Sequence, residues 1–134
     1  MNILADTHIL IWVLLDHERL PLKARALLSD PNNDVYFSSV SVWEIAMKHA
    51  AHPHELPFTG EAFYELCLKS GFQLADISIS HIFAFEALRR AEGAPAHKDP
   101  FDKLLIAQSK TERMTFLTHD SQLSDYKEPC VLQV

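Results

Sequence analysis

The first fifteen residues, MNILADTHILIWVLL (1–15), contain a short apolar run, one carboxylate and a second, longer apolar run. The run from Met1 to Ala5 predicts a buried strand that ends at Asp6. The run from Thr7 to Leu15 is apolar on nearly all sides, which predicts a largely buried helix. A short strand followed directly by a helix is the repeating unit of α/β proteins with a parallel sheet.

The same alternation continues along the chain, and the turn residues divide it into further elements. Helices are predicted at 21–28, 41–49, 60–70, 80–92 and from Asp99 to about 113. Further strands are predicted at 35–38, 72–77 and 114–118, with a last one at 131–134. No repeat or linker interrupts the pattern. We therefore expect one α/β domain over residues 1–134, a three-layer sandwich in which helices flank a mainly parallel central sheet.

The composition is that of an ordinary globular protein of 134 residues, with 48% hydrophobic residues and a net charge of −6. This acidic balance is a poor match to the basic surface of most nucleic-acid-binding proteins, unless several acidic residues face bound cations. The two cysteines, Cys67 and Cys130, are far apart, which predicts reduced thiols and a cytoplasmic protein. The apolar run 9–15 is too short to cross a membrane and follows Asp6 rather than basic residues, so it predicts neither an anchor nor a signal peptide.

Four carboxylates follow predicted strands or begin predicted helices. Asp6 ends the first strand, Glu44 lies near the start of the helix after the second, and Asp120 follows the strand ending at Thr118. Asp102 lies in the first turn of the helix that Asp99 begins. Because sites in parallel α/β folds form beyond the carboxyl ends of the strands, we expect these side chains to converge.

Each carboxylate also has a purely structural interpretation. Glu44 is placed to complete a capping box with Ser41, and Asp99 is a good N-cap before Pro100. Four converging carboxylates would nevertheless repel one another unless a cation offset their charge. Mg²⁺ and Mn²⁺ prefer oxygen ligands, and one or two such ions can activate a water for attack on a phosphodiester.

The motifs that contain these carboxylates resemble the PIN-domain family, and most closely its VapC-type toxins of type II toxin–antitoxin pairs. The resemblance rests on Leu4–Thr7, Ser41–Ala46, His97–Gln108 and Leu117–Asp120, which occur in that order along essentially the whole chain. It implies a PIN fold and an Mg²⁺- or Mn²⁺-dependent endoribonuclease that cleaves RNA with a metal-activated water. It also implies a homodimer and a small cognate antitoxin as partners.

The resemblance assigns roles to individual residues. It implies that Asp6, Glu44, Asp102 and Asp120 are the catalytic and metal-binding acids. Asp99 is expected to add a water-mediated contact, and the hydroxyls of Thr7 and Thr118 are expected to orient carboxylates. Candidate phosphate contacts are Lys48, which could instead pair with Glu44, and Lys103, which stands where relatives often have arginine.

Other side chains have simpler predicted roles. His8, His97 and His119 are expected near the site as packing or surface residues, and His52 and His54 in a solvated loop. Trp12 and Trp43 are expected in the core or at a dimer contact rather than stacked on bases. Phe83 and Phe85 are expected in the core, and Arg89 and Arg90 on a solvated face.

Three rival functions remain open. A phosphoacceptor receiver domain would need its acceptor after the third strand, where Asp76 is poorly placed. A PIN scaffold without catalysis, acting only as a binding or regulatory protein, would not need all four acids. A nuclease acting on DNA would use the same metal chemistry, which requires no 2′-hydroxyl.

Overall fold

The computed structural model describes residues 1–96 and 99–134, and these form a five-stranded sheet in which every pair of neighbouring strands is parallel. The strands are β1 (Asn2–Ala5), β2 (Asp34–Ser38), β3 (Gln73–Ala75), β4 (Thr115–Thr118) and β5 (Val131–Gln133). The helices are α1 (Thr7–Leu14), α2 (Leu22–Ser29), α3 (Ser39–Ala51), α4 (Gly60–Lys69), α5 (Ile79–Ala87) and α6 (Pro100–Thr111), with a short 3-10 helix at Ser121–Tyr126.

The sheet has a hydrophobic core on each face, which confirms the α/β sandwich. Successive side chains of β1 point to opposite faces, so Ile3 and Ala5 pack in one core and Leu4 in the other. The first core also takes buried side chains of α1, α2, α3 and α4, and the second takes those of α6 and the 3-10 helix. A strand buried on both faces has a continuous apolar sequence, as residues 3–5 do.

The strand order β3-β2-β1-β4-β5 puts β1 at the centre of the sheet. The chain builds outward from β1 to β2 and β3, and then returns to add β4 and β5 on the other side. Ala5 lies beside Leu117 of β4 in the sheet register, and the Asp6 amide donates to the Leu117 carbonyl at 2.9 Å. The point where the strand order reverses opens a crevice at the carboxyl ends of the strands, where α/β proteins place their sites.

Several helix boundaries differ from the predictions because other residues form the caps. Ser38 is the N-cap of α3, so this helix begins two residues before Ser41. Ser78 is the N-cap of α5 and pairs with His81 in a capping box, so Ser80 lies inside the helix. Pro21 is the N-cap of α2 rather than a residue of its first turn. The third strand is shorter than the predicted 72–77.

The end of α5 and the residues around it differ from the predictions in three ways. The helix ends at Ala87 rather than 92, since Leu88 has extended backbone. Arg90 is not on a solvated face: its guanidinium donates to Asp125 and two backbone carbonyls and lies over the ring of Tyr126. Phe83 was expected in the core but is 61% exposed.

Phe85 was predicted in the core, and the two cysteines were predicted to be reduced thiols. Phe85 packs partly buried against the second core, and Cys67 and Cys130 are free thiols. Burial raises the pKa of Cys67 to about 12, so this thiol is unreactive at neutral pH. In the described parts of the chain, no helix has the length and apolar character needed to span a bilayer.

Candidate metal and active site

Asp6 occupies the centre of the candidate site, directly after the central strand. It is 3% exposed and is the N-cap of α1, with one carboxylate oxygen accepting from the Thr7 amide at 2.7 Å. Its other oxygen accepts from the Thr118 hydroxyl at 2.7 Å. Thr118 in turn accepts from the Asp120 amide at 3.1 Å. One hydroxyl therefore links the ends of β1 and β4 and fixes the orientation of Asp6.

Glu44 reaches the same region from α3 and is 2% exposed. Its Oε1 accepts from the Thr7 hydroxyl at 2.8 Å, and its Oε2 forms an ion pair with Lys48 Nζ at 2.7 Å. Glu44 lies in the second turn of α3, so the capping-box interpretation with Ser41 is wrong. A buried carboxylate that is not needed as a cap is held here by a hydroxyl and a lysine instead.

Ser41 contributes to the site in a way that the sequence analysis missed. Its fully buried hydroxyl lies 2.8 Å from that of Thr7. Since the single hydroxyl proton of Thr7 points to Glu44, Ser41 must donate to Thr7. The sequence contains one indication of this role: the pair Ser38-Ser39 offers an earlier N-cap, and an earlier N-cap leaves Ser41 inside the helix.

Asp99 and Asp102 come from the start of α6. Asp99 is the N-cap, as predicted, and accepts from the amides of Phe101 and Asp102 at 2.9 and 3.4 Å. Asp102 lies in the first turn and is 9% exposed. Pro100 fits the first helical position because no intrahelical donor is lost there.

Asp120 completes the set from the other side of β1. It is the N-cap of the 3-10 helix and accepts from the Gln122 amide at 2.9 Å. Its neighbour His119 donates from Nδ1 to the backbone oxygen of Val134. His97 lies outside the described residues.

The proximity of these carboxylates is visible in their electrostatics. Burial raises the pKa of Asp102 to about 9, and the negative charges of four other carboxylates add to the shift: Asp6, Asp99, Glu44 and Asp120. Burial also raises the pKa of Asp6 to about 6, although the hydrogen bond from Thr118 acts in the opposite direction. The structure therefore brings all the predicted acids into one electrostatic cluster.

The two candidate phosphate-binding lysines lie in different surroundings. Partial burial lowers the pKa of Lys48, but its hydrogen bond to Glu44 and the attraction of Glu44, Asp99 and Asp102 raise it above its usual range. Lys48 thus makes the predicted helical pair and faces the cluster. The ammonium of Lys103 lies 4.3 Å from the centre of the Phe85 ring, so the structure does not bring it into the cluster.

The donor chemistry of the cluster fits a hard divalent cation. All the converging side chains offer carboxylate oxygens, the ligands that hard divalent cations prefer. A bound cation would offset the negative charge through which these carboxylates repel one another. Across residues 1–96 and 99–134, no three aspartate, glutamate, histidine or cysteine side chains form a closed coordination shell in advance. These residues supply the ligand type and the negative charge that a hard cation requires.

Comparison with known proteins agrees with this fold. The chain resembles a domain of a functionally unknown protein from Methanocaldococcus jannaschii (TM-score 0.57, 16% identity, 99% of this chain and 90% of that chain). It also resembles the crystal structure of VapBC2 from Rickettsia felis bound to a DNA fragment from their promoter (TM-score 0.70, 16% identity, 100% of this chain and 98% of that chain). No curated protein matches the sequence. The sequence model of the PIN domain matches residues 3–129, and this chain therefore belongs to the PIN domain family.

Proposed function

We propose that this protein is a divalent-metal-dependent endoribonuclease and the toxin of a toxin–antitoxin pair. The observation that carries the proposal is the carboxylate cluster at the reversal point of the sheet, where burial and the repulsion of neighbouring carboxylates raise the pKa of Asp102 to about 9. Membership of the PIN family, a family of nucleases, supports phosphodiester hydrolysis as the reaction.

The proposed ligands of one or two Mg²⁺ or Mn²⁺ ions are Asp6, Glu44, Asp102 and Asp120. When bound, such ions supply Lewis-acid activation of the phosphodiester and of a water nucleophile. Asp99 remains the cap of α6 and adds negative charge beside Asp102.

The chain's own residues hold this cluster in place. The hydroxyls of Thr7 and Thr118 each donate to a buried carboxylate and leave it little rotational freedom. Lys48 neutralises part of the charge of Glu44 and is half-exposed, so its ammonium is also available to an RNA phosphate. Lys103 has a weaker claim to this role because its ammonium lies on the Phe85 ring.

The proposal extends to partners. The resemblance to VapC-type toxins and the structural similarity to VapBC2 support an antitoxin partner. Large apolar side chains exposed on α3 and α5 support a homodimer, because such surfaces are usually covered by a partner: Trp43, Met47, Ile79, Ile82 and Phe83. We further propose that residues 1–134 act as one nuclease domain in the cytoplasm, where the two free thiols would stay reduced.

Calorimetric titration of Mn²⁺ tests the metal site without a guess about the RNA. Wild type should bind, Asp6→Asn and Glu44→Gln should bind at least about tenfold more weakly, and the exposed control Asp34→Asn should match wild type. Failure of wild type to bind Mn²⁺, or normal binding by Asp6→Asn, would contradict the proposed site.

Cleavage assays then test the substrate. Matched single-stranded RNA and DNA oligonucleotides should be incubated with wild type and Asp6→Asn in Mn²⁺. We expect wild type to cut RNA and the variant to lose this activity. Cleavage of DNA alone would replace RNA by DNA as the substrate, and cleavage of neither by a metal-bound wild type would favour a PIN scaffold that only binds partners.

A further inference from the structure

A cavity of about 220 Å³ opens beside two of the site carboxylates. Its lining contains Asp6 and Asp120, together with the rings of His8, Trp12 and His119. The carboxylates and the rings therefore share one space. A substrate held at Asp6 and Asp120 also meets these rings.

The rings are arranged around the indole of Trp12. Its centroid lies 6.1 Å from that of His8 and 5.6 Å from that of His119, whose ring is turned edge-on at 69°. His17 stacks on the same indole, with centroids 6.5 Å apart and planes 29° apart. Trp12 is partly buried against the core, whereas His8 and His119 are exposed.

Hydrogen bonds hold the flanking rings in position. His119 donates from Nδ1 to the backbone oxygen of Val134, the residue after β5. His17 accepts at Nδ1 from the Arg19 amide at 3.0 Å. A ligand that enters the cavity therefore has little side-chain ordering to impose, which favours binding.

Building on the proposed function, we propose that this cavity binds a nucleobase of the RNA next to the phosphate that is cleaved, with Trp12 as its stacking surface. Proteins recognise single-stranded RNA by stacking unpaired bases on Trp, His, Tyr or Phe rings. The adjoining acidic groups disfavour a second phosphate in the cavity, whereas a neutral base meets no such repulsion. Trp12 is thus a base-binding residue, and it leaves the chemistry to the carboxylates.

Fluorescence can isolate Trp12, because the chain has two tryptophans and the other does not line the cavity. Trp43 lies on α3 against Phe101, 56% exposed, so Trp43→Phe leaves Trp12 as the single reporter. The probes are the four nucleoside 5′-monophosphates with Mn²⁺, which contain no phosphodiester to cleave. Ribose 5-phosphate is the matched probe without a base.

We expect the nucleotides, and not ribose 5-phosphate, to quench Trp12. Calorimetry measures the affinity of variants that lack the Trp12 reporter. In Trp12→Leu the affinity for the nucleotides should fall about 5- to 150-fold, the range for loss of one base–aromatic stack, towards that of ribose 5-phosphate. Trp12→Phe keeps an aromatic face and should lose only a few-fold, while Trp43→Leu should match wild type. Mn²⁺ affinity should be the same in all of these variants, which also shows that they are folded.

Two results would overturn the base-binding site. One is equal affinity for the nucleotides in wild type, Trp12→Leu and Trp12→Phe. The other is a Trp12 signal that responds to ribose 5-phosphate as strongly as to the nucleotides. A different result would refute the nuclease proposal alone. If nucleotides quench Trp12 in a protein that cuts no RNA, catalysis is refuted and the base-binding site is retained.

Discussion

Replacing Asp102 by asparagine is expected to stabilise the metal-free protein at neutral pH and to abolish its tight binding of Mn²⁺. Burial and the surrounding carboxylates raise the pKa of Asp102 from 3.8 to about 9, so the folded protein holds this carboxyl in its neutral form at pH 7. The unfolded chain has the ordinary pKa and is ionised. Asparagine is neutral in both states and has nearly the same shape.

The sign and size of the effect follow from proton linkage. Between the two pKa values the folded state binds the proton and the unfolded state does not, so the free energy of unfolding falls as pH rises. The fall is about 1.4 kcal/mol per pH unit, which amounts to on the order of 4 kcal/mol between the ordinary pKa and pH 7. Below the ordinary pKa the full stability is present, and above a pH of about 9 the fall stops. Asp102→Asn removes this dependence, so its advantage over wild type should be small near pH 4 and grow steadily to pH 7.

Urea unfolding followed by circular dichroism measures this difference. Wild type, Asp102→Asn and the exposed control Asp34→Asn would be unfolded in EDTA at several pH values from 5 to 8. Asp34→Asn should follow wild type within about 0.5 kcal/mol at each pH. Saturating Mn²⁺ should then stabilise wild type by about 3 kcal/mol at a hundredfold excess over its dissociation constant, and leave Asp102→Asn unchanged. Parallel pH profiles in EDTA, or a variant less stable than wild type at pH 7, would refute the electrostatic argument.

Four further substitutions test other parts of the structure. Glu44→Gln should weaken Mn²⁺ binding at least about tenfold in calorimetry, and unchanged binding would remove Glu44 from the ligand set. Thr118→Val removes the hydroxyl that donates to Asp6 and should weaken Mn²⁺ binding about 10- to 100-fold. Thr118→Ser keeps a hydroxyl and should restore the binding. Equal effects of valine and serine would contradict an orienting role. Phe83→Glu should convert a dimer to a monomer in sedimentation velocity, and a dimer that persists would exclude the exposed face of α5 as the interface. Arg90→Ala should lower the free energy of unfolding by about 1–3 kcal/mol in urea, because it removes several hydrogen bonds of a largely buried guanidinium and its ion pair with the partly exposed Asp125. A smaller loss would indicate that these bonds are replaced by water.

The positions of the acids could be predicted because they depend on local rules. A carboxylate one or two residues after a buried strand, as at Asp6 and Asp120, reaches the carboxyl edge of a parallel sheet whatever the helices do. Asp99 followed by Pro100 is a helix start that its own backbone chemistry determines. These rules act over a few residues, so the sequence alone is sufficient to apply them.

The structural interpretation of Glu44 as a helix cap was wrong, because local spacing did not determine where α3 begins. The spacing of Ser41 and Glu44 fits a capping box, but Ser38 lies at the end of β2 and accepts from the Val40 amide in the first turn of α3. The competition between two serines for one cap depends on where the strand ends. That end is set by pairing with β1 and β3, which local sequence does not specify.

Side chains whose surroundings come from distant segments could not be predicted. Phe83 is apolar and lies in an apolar helix, yet it is exposed because the packing of α5 buries other positions of that helix, such as His81. The indole of Trp12 meets His119 only because β4 returns to pair with β1. Both outcomes depend on tertiary packing rather than on residue type.

The hydroxyl bond between Thr118 and Asp6 joins residues 112 positions apart, and it has a consequence for synthesis. The ribosome makes Asp6, Glu44 and Asp102 before it makes β4, and domains fold as their segments emerge. A nascent chain that lacks β4 has no neighbour for this side of β1, no Thr118 to orient Asp6 and no Asp120. Partial translation products therefore cannot assemble the carboxylate cluster, and an interrupted message yields a chain without the complete site.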